Sequence, residues 1–317
     1  MAYSAGDTIL DDEYNTFVNN SSSPYGYNHF AGPGSGEYGL NQSTISTVSA
    51  GNTVQASQWN SLFTGLDNIA NHTNTSITST SVSAGDTIAI KAALTTDLAN
   101  LAAAVAGGST GATAISSQAA GSSTNSGTWN GTSTIERSIT FSSNDVMRAF
   151  FNGGGYIRCV PGTSGSTDGD KDTVFSQLAS AFGNLDLKAH SSSRSGSGET
   201  LSTNGLSNGF HDLGTGYTTL LKLTSDNGAD YNTCTLQIDA KLNAAVGSAT
   251  VLTIRSYAVD GAGDETYTSG NTSGVPSNPN EAPAMSLTLT EFYPNNTEGL
   301  ASDITSTSNA QVSNSAS

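Results

Sequence analysis

The chain has 317 residues, of which 35% are hydrophobic and 11% are charged, and it contains 48 Ser, 41 Thr and 35 Gly. Its length is enough for one large domain or two ordinary ones, and it is too apolar for a disordered acidic tail. A typical soluble domain is about 25% charged, so hydroxyl-bearing residues replace charged ones here. The net charge of -16 argues against nucleic acid as a partner, because phosphate binding needs a concentrated basic face.

Targeting and membrane signals are not visible in the sequence. The start, MAYSAGDTIL, has no basic region followed by an apolar one, and no stretch approaches the ~20 apolar residues that span a bilayer. We therefore expect no membrane insertion. Cys159 and Cys234 lie in strand-like apolar contexts without CxxC spacing, so we predict buried thiols and no disulfide.

A short motif recurs in the first third of the chain. Ser4–Ile9 (SAGDTI) returns as Ser49–Val54 (SAGNTV) and as Ser83–Ile88 (SAGDTI), and each copy precedes a helical pattern. The helical stripes have apolar residues at alternating spacings of three and four: Leu10, Tyr14 and Phe17; Trp59, Leu62, Leu66 and Ile69; Leu94, Leu98, Leu101 and Val105. Such short helices must bury their stripes, either in an intrachain bundle or in a trimeric or docked attachment module.

The remaining chain changes character twice. Residues 107–134 are rich in Gly, Ser and Thr and read as a connector. Beyond them, a helix is predicted through Asp145–Phe151, ended by Gly153–Gly155, and another through Thr173–Phe182. From Tyr217 onward strands dominate, most clearly where Cys234, Leu236, Ile238, Ala240 and Leu242 alternate with polar residues.

These patterns predict a mainly β protein with an α-helical N-terminal part and an antiparallel β-sandwich-like C-terminal domain that carries one or two helices. The expected organisation is a repeat-bearing attachment or oligomerisation region (1–106), a connector (107–134), a β-rich domain (135–294) and a polar tail (295–317) that forms a loosely held strap.

Motifs that could carry chemistry lack their structural context. Gly34–Gly39 matches GxGxxG but follows a loop, and Gly107–Gly111 matches a nucleophile elbow without a preceding strand. Asp168–Asp172 opens like a calcium loop but lacks the later glycine and acid, which leaves at most a loose surface cation site. The four histidines have no i,i+4 partner. We therefore predict no catalytic residues, no cofactor and no metal.

Two segments carry a resemblance to a known family. The first contains GSGEYGLNQ (34–42), VSAGNTV (48–54) and Gln58-Trp59-Asn60 with Leu62 and His72; the second runs from ITFSS (139–143) to RAFFNGGGYIR (148–158). In this order they resemble virion structural proteins of tailed phages, especially phages of cyanobacteria and marine bacteria. The resemblance implies an exterior virion location and no catalytic residues.

The resulting expectation is a homo-oligomeric tail fiber or tail-associated appendage, with a trimer favoured, that docks on other virion proteins through its N-terminal part. The alternatives are a receptor- or glycan-binding tip, a capsid or neck decoration protein, and a polysaccharide depolymerase, which would need a carboxylate pair. In a glycan-binding tip, exposed Tyr and Trp residues would stack on sugars; Trp129 is the most suggestive of them, but its sequence context favours an isolated anchor. A host surface glycan is then the further partner. The candidate assembly residues are Trp59, Leu62, Leu66, Phe150, Phe151, Gly153 and Gly154.

Overall fold

The structure is a computed structural model of the chain. It describes residues 11–79, 81, 83, 91–126, 129, 131–164, 169–198, 200–203, 205–226, 232–261 and 282–317. The architecture is mostly β, with two antiparallel sheets and a few helices, as the sequence predicted. The first and third copies of the repeated motif lie outside the described residues, apart from Ser83.

The helices and strands have the following bounds. The helices are α1 (Asp11–Asn19), α2 (Tyr27–Phe30), α3 (Ala56–Thr73), α4 (Lys91–Ala106), α5 (Asn144–Asn152) and α6 (Gly169–Phe182). The strands are β1 (Ile115–Ser117), β2 (Gly121–Asn125), β3 (Thr132–Thr140), β4 (Tyr156–Ser164), β5 (Leu185–Leu187), β6 (Ser192–Arg194), β7 (Thr200–Thr203), β8 (Thr218–Thr224), β9 (Thr235–Leu242), β10 (Val251–Val259), β11 (Ala284–Pro294) and β12 (Ser308–Ala316).

Each sheet has six strands. The first has the order β1-β11-β4-β5-β6, with β2 also paired to β11, and the second has the order β12-β3-β10-β9-β8-β7. In the second sheet, β10 lies between its two partners with Ile254 opposite Arg137 of β3 and Ala240 of β9. Consecutive strands β8, β9 and β10 pair with each other, which is the usual result of short antiparallel connections.

The alternation that predicted β9 is present as burial. Leu236, Ile238, Ala240 and Leu242 are all buried, and Gln237 and Lys241 are partly exposed. Successive side chains of a strand point to opposite faces, so the apolar set occupies one face. Asp239 belongs to the other set yet is also buried, because Arg255 of β10 covers and pairs with its carboxylate.

The chain divides into two compact units, each built from separate stretches. Unit 1 comprises Met1–Ser116, Ser143–Gly155 and Phe292–Thr305. Unit 2 comprises Ser117–Ser142, Tyr156–Glu291 and Ser306–Ser317. The sequence predicted consecutive regions instead. Helix α5, for example, follows a strand of unit 2 in the chain but belongs with the N-terminal helices.

The predicted connector and the predicted strap both contain strands. Residues 107–134 include β1 and β2, and β12 in the tail pairs with β3 along its length. Ladder hydrogen bonds use main-chain groups, so Ser-, Asn- and Gly-rich segments can pair without an apolar pattern. Asn309 of β12 also accepts from the buried guanidinium of Arg137 at 3.1 and 2.9 Å, which fixes the strand to β3. The loosely held strap was therefore a wrong prediction.

In unit 1 the described residues of the apolar stripes of α1, α3 and α4 are buried within the chain, where these helices and α2 contact one another. Leu10, the first residue of the α1 stripe, lies outside the described residues. The intrachain alternative accounts for their burial. In unit 2, Cys159 and Cys234 are buried thiols and form no disulfide, as predicted. Burial raises the pKa of Cys159 above its usual value, which makes it unreactive at neutral pH.

Candidate functional site

An aromatic cluster surrounds Trp59, the first candidate assembly residue. Gln58, one position earlier, accepts a hydrogen bond from the Gln55 N–H at 2.7 Å and fixes the start of α3. The Trp59 ring lies 5.1 Å from Tyr14 in an edge-to-face arrangement and 5.9 Å from Phe63 in a stacked one. Trp59 is 2% exposed, so it serves as an internal anchor of unit 1 and not as a surface contact.

Leu62 and Leu66 follow Trp59 on the same face of α3 and are fully buried. Spacings of three and four residues place these side chains one above another on a helix. Gly65 is needed on a neighbouring face, because a β-carbon there would lie 2.7 Å from the ring of Tyr27. The apolar stripe of α3 is therefore buried by packing inside unit 1.

Helix α5 carries the second pair of candidates. The Ser143 side chain accepts a hydrogen bond from the Val146 N–H at 3.2 Å and caps the helix. Phe150 and Phe151 are both 0% exposed, and their rings meet edge to face with centroids 5.1 Å apart. Both aromatics therefore anchor α5 in the core of unit 1.

The glycine turn after α5 uses its residues differently. Gly154 has φ +83°, and a β-carbon there would lie 2.1 Å from the Thr110 methyl carbon. Gly153 has an ordinary φ of -75°, but a β-carbon would lie 2.9 Å from Pro294 Cγ. Gly154 thus needs both a left-handed backbone and a close approach, whereas Gly153 needs only the close approach.

Two hydrogen bonds connect the first and second segments that carry the family resemblance. His72 Nε2 donates to the Gly153 carbonyl at 3.0 Å, and Asn152 Nδ2 donates to the Gly39 carbonyl at 3.3 Å. Because a carbonyl can only accept, the neutral His72 ring carries its proton on Nε2. The segments are far apart in sequence, and they meet inside unit 1.

His72 is fully buried, and its Nδ1 has no hydrogen-bond partner among the described residues. Burial lowers the pKa of His72 from 6.5, and the hydrogen bond to the Gly153 carbonyl opposes that shift. A second proton on Nδ1 would create a buried donor without an acceptor, so the site favours the neutral ring.

Tyr25, His29 and Tyr38 form a partly exposed group, here called the aromatic platform. Tyr25 and His29 stack with centroids 4.3 Å apart and an interplanar angle of 7°, and Tyr38 lies 4.5 Å from Tyr25 and 5.0 Å from His29. Burial lowers the pKa of His29. The pKa of Tyr38 is raised, mainly by burial and to a smaller extent by its hydrogen bond with Tyr25.

Sequence reasoning missed this platform. Tyr25 and His29 have i,i+4 spacing, which was an available signal, but Tyr38 joins them only because its loop folds back. In that loop Gly34 and Gly39 have positive φ, and a β-carbon on Gly34 would lie 2.4 Å from the Tyr38 carbonyl oxygen. The glycines of the GxGxxG match therefore close the loop that carries Tyr38.

Trp129 does not stack on a surface ligand. It is 2% exposed, its Nε1 donates to the Pro283 carbonyl at 2.7 Å, and its ring meets Phe175 edge to face. The sequence favoured an anchor over a sugar-stacking role for Trp129, and this tryptophan does pack as an anchor in the core of unit 2.

The described part of the chain has neither a metal-binding cluster nor a membrane-spanning helix. Within it, no group of three or more His, Cys, Asp or Glu side chains is placed to hold a metal ion. The side chains of Asp168 and Asp170, which open the calcium-loop match, lie outside it. None of its helices is both long enough and apolar enough to cross a membrane.

Comparisons of the chain with protein-family models, with curated proteins and with solved structures find no match.

Proposed function

We propose that this chain is a structural component of a tailed-phage virion, a homo-oligomeric tail fiber or tail-associated appendage with a trimer favoured. The observation that supports it best is the contact between the two segments with the family resemblance, through His72 with Gly153 and Asn152 with Gly39. A chance resemblance of two separate stretches gives no reason for them to meet in one compact unit.

The proposal includes a finer architecture. The N-terminal helices form the attachment part, and the two sheets pack face to face as a sandwich. Support for the sandwich comes from β3, β10 and β11, whose residues alternate between buried and partly exposed. The Arg137 side chain of β3 also donates to Ser123 Oγ of β2, which joins the two sheets on their buried side at 2.5 Å.

Self-association requires surface other than the helical stripes, which are already buried. We place it at β12, an edge strand of the second sheet, where Val312 is 55% exposed beside a bulge. Residues 304–317 contain no charged side chain and no proline, which are two of the usual protections of an open edge; the bulge at Val312 is the one protection that β12 has. A second copy can therefore pair its main chain with this edge.

The mass of the purified protein in solution tests the oligomer. A trimer is expected, and Val312→Lys, which puts a charge on the edge, should shift it towards monomer. Ser302→Lys adds the same charge at an exposed position outside β12 and should leave the trimer intact. A wild-type protein that stays monomeric at every concentration would contradict the fiber proposal.

The virion location has a separate test. Particles encoded by the genome that carries this sequence would be purified and analysed by mass spectrometry. Peptides of this chain should occur in several copies per particle. Their absence from particles that contain the other tail proteins would refute the location.

The aromatic platform supports a second candidate, a glycan-binding role. Partly exposed aromatic rings next to polar side chains can stack on the apolar faces of sugars. Titration with host surface polysaccharide should give binding that Tyr25→Ala weakens and Tyr257→Ala, on unit 2, leaves unchanged. No detectable binding by the wild-type protein leaves only the structural role.

A further inference from the structure

Lys171 and Asp260 form an ion pair in which both side chains are 0% exposed. Lys171 lies on α6, and Asp260 follows the last residue of β10. Arg158 with Asp186 and Arg255 with Asp239 are ion pairs that join Asp to Arg and keep part of their surface in water. Lys171 differs chemically, because an amine can become a neutral nucleophile and a guanidinium cannot.

The carboxylate of Asp260 is held in a fixed position. The main-chain N–H of Asp260 donates a hydrogen bond to the Gly131 carbonyl at 2.9 Å. In the side chain, Oδ1 accepts a hydrogen bond from Cys234 Sγ at 3.5 Å. Gly261 passes so close to the turn before β9 that a β-carbon there would lie 2.5 Å from the Thr233 carbonyl oxygen. Oδ2 faces Lys171 Nζ, so one carboxylate oxygen meets the amine and the other meets a thiol.

The ion pair is fully buried, and an apolar side chain neighbours Lys171 on α6. Phe175 lies one turn after Lys171, on the same face of α6, and is fully buried. The Trp129 ring meets Phe175 at 4.9 Å. Two opposite charges in such an interior carry a desolvation cost that their attraction barely offsets. Transfer of one proton from the ammonium to the carboxylate removes both charges, and it leaves a neutral amine beside a neutral carboxylic acid.

We propose that Lys171 and Asp260 are joined by an intramolecular amide bond. Nζ attacks Cγ of Asp260, and the negative charge that develops on Oδ1 accepts the hydrogen bond from the Cys234 thiol. The Cγ–Oδ2 bond then breaks, and Oδ2 leaves as water with the carboxylic acid proton and one amine proton. One N–C bond forms, one C–O bond breaks, and nothing is oxidised or reduced.

The intact mass of the full-length protein tests this proposal, which is independent of the proposed function. After any removal of Met1 is allowed for, the mass should be lower than the sequence mass by one water molecule. Trypsin should fail to cut after Lys171, and fragmentation should identify a branched peptide that joins Lys171 to Asp260. A full sequence mass with a linear peptide ending at Lys171 would overturn the proposal.

Matched variants assign the missing water. Lys171→Met should restore the full sequence mass, whereas Lys222→Met, on β8, should retain the deficit and the branched peptide. A mass deficit without the branched peptide, as an internal succinimide would give, overturns the proposal. The digest of the wild-type protein supplies this result, so the test does not depend on whether Lys171→Met folds. The amide bond should form more slowly in Cys234→Ala. An unchanged half-time of amide-bond formation would show that the Cys234 thiol takes no part in the reaction.

Discussion

At the scale of single residues, Phe151 has no exposed surface and packs against Phe150 in the core of unit 1. Phe151→Ala should lower the free energy of unfolding by about 3–5 kcal/mol, because it removes buried apolar surface and leaves a cavity. Urea unfolding measures this. Ser302→Ala, at an exposed residue outside β12, should change stability by less than about 0.5 kcal/mol. A cost below about 1 kcal/mol for Phe151→Ala would remove the proposed anchor.

Two glycines allow backbone strain to be separated from crowding. Gly154 and Gly51 have φ of +83° and +82°, but a β-carbon on Gly154 would collide with Thr110 whereas one on Gly51 meets nothing within 4 Å. Gly51→Ala should cost about 1–2 kcal/mol, the penalty of a left-handed alanine. Gly154→Ala should cost clearly more in the same unfolding assay. Equal costs would mean that Thr110 moves aside freely.

His72 should make stability depend on pH. Its folded pKa is lowered from 6.5 by burial, so between that pKa and 6.5 the unfolded chain binds more protons than the folded one. The stabilisation is complete above pH 6.5 and is lost as pH falls through this window. His72→Gln keeps a donor for Gly153 but does not titrate, so its unfolding free energy should fall less between pH 7 and 5. Parallel pH profiles would show that His72 is not the group responsible.

At the scale of elements, β12 is held to the sheet through Asn309. Arg137 is 4% exposed, and its guanidinium donates to the side-chain and main-chain oxygens of Asn309. Asn309→Ala should cost about 1.5–3 kcal/mol, the range for hydrogen bonds to a charged group. Asn314→Ala, which removes an exposed hydrogen bond to Thr124, is the matched control. Amide hydrogen exchange along β12 should become faster in Asn309→Ala and stay unchanged in Asn314→Ala. Equal exchange rates along β12 in the two variants would contradict the role of Asn309.

The strand β9 and the helix α5 could be predicted from sequence because their signals are local. Apolar alternation defines one face of β9, and a serine cap with a glycine stop bounds α5. β2 and β12 could not be predicted, because Ser- and Asn-rich strands depend on main-chain pairing with a partner that the sequence does not indicate. The periodic positions of Trp59, Phe150 and Phe151 marked them as residues to be buried, but the sequence left open whether α3 buries its stripe inside the chain or in an assembly. The aromatic platform needed the loop of Gly34–Gly39 to close.

At the scale of the whole molecule, unit 1 needs three stretches of chain. A fragment of residues 1–116 lacks α5 and the glycine turn, and with them the partner of His72. It should therefore show no cooperative unfolding, and its amide proton NMR spectrum should have poor dispersion, whereas the full chain should show both properties. A cooperatively folded fragment would favour the predicted consecutive regions over the observed units.

The sequence by itself determined the periods of its helices and strands, the hydroxyl-rich surface and the positions of the internal anchors, because these follow from the order of neighbouring residues. Tertiary structure alone decided which stretches form each unit, why His72 meets Gly153, and why the buried side chains of Lys171 and Asp260 meet. The physical reason is that periodicity fixes the face on which a side chain lies, while its distant partner is chosen by packing and by the need to pair buried polar groups.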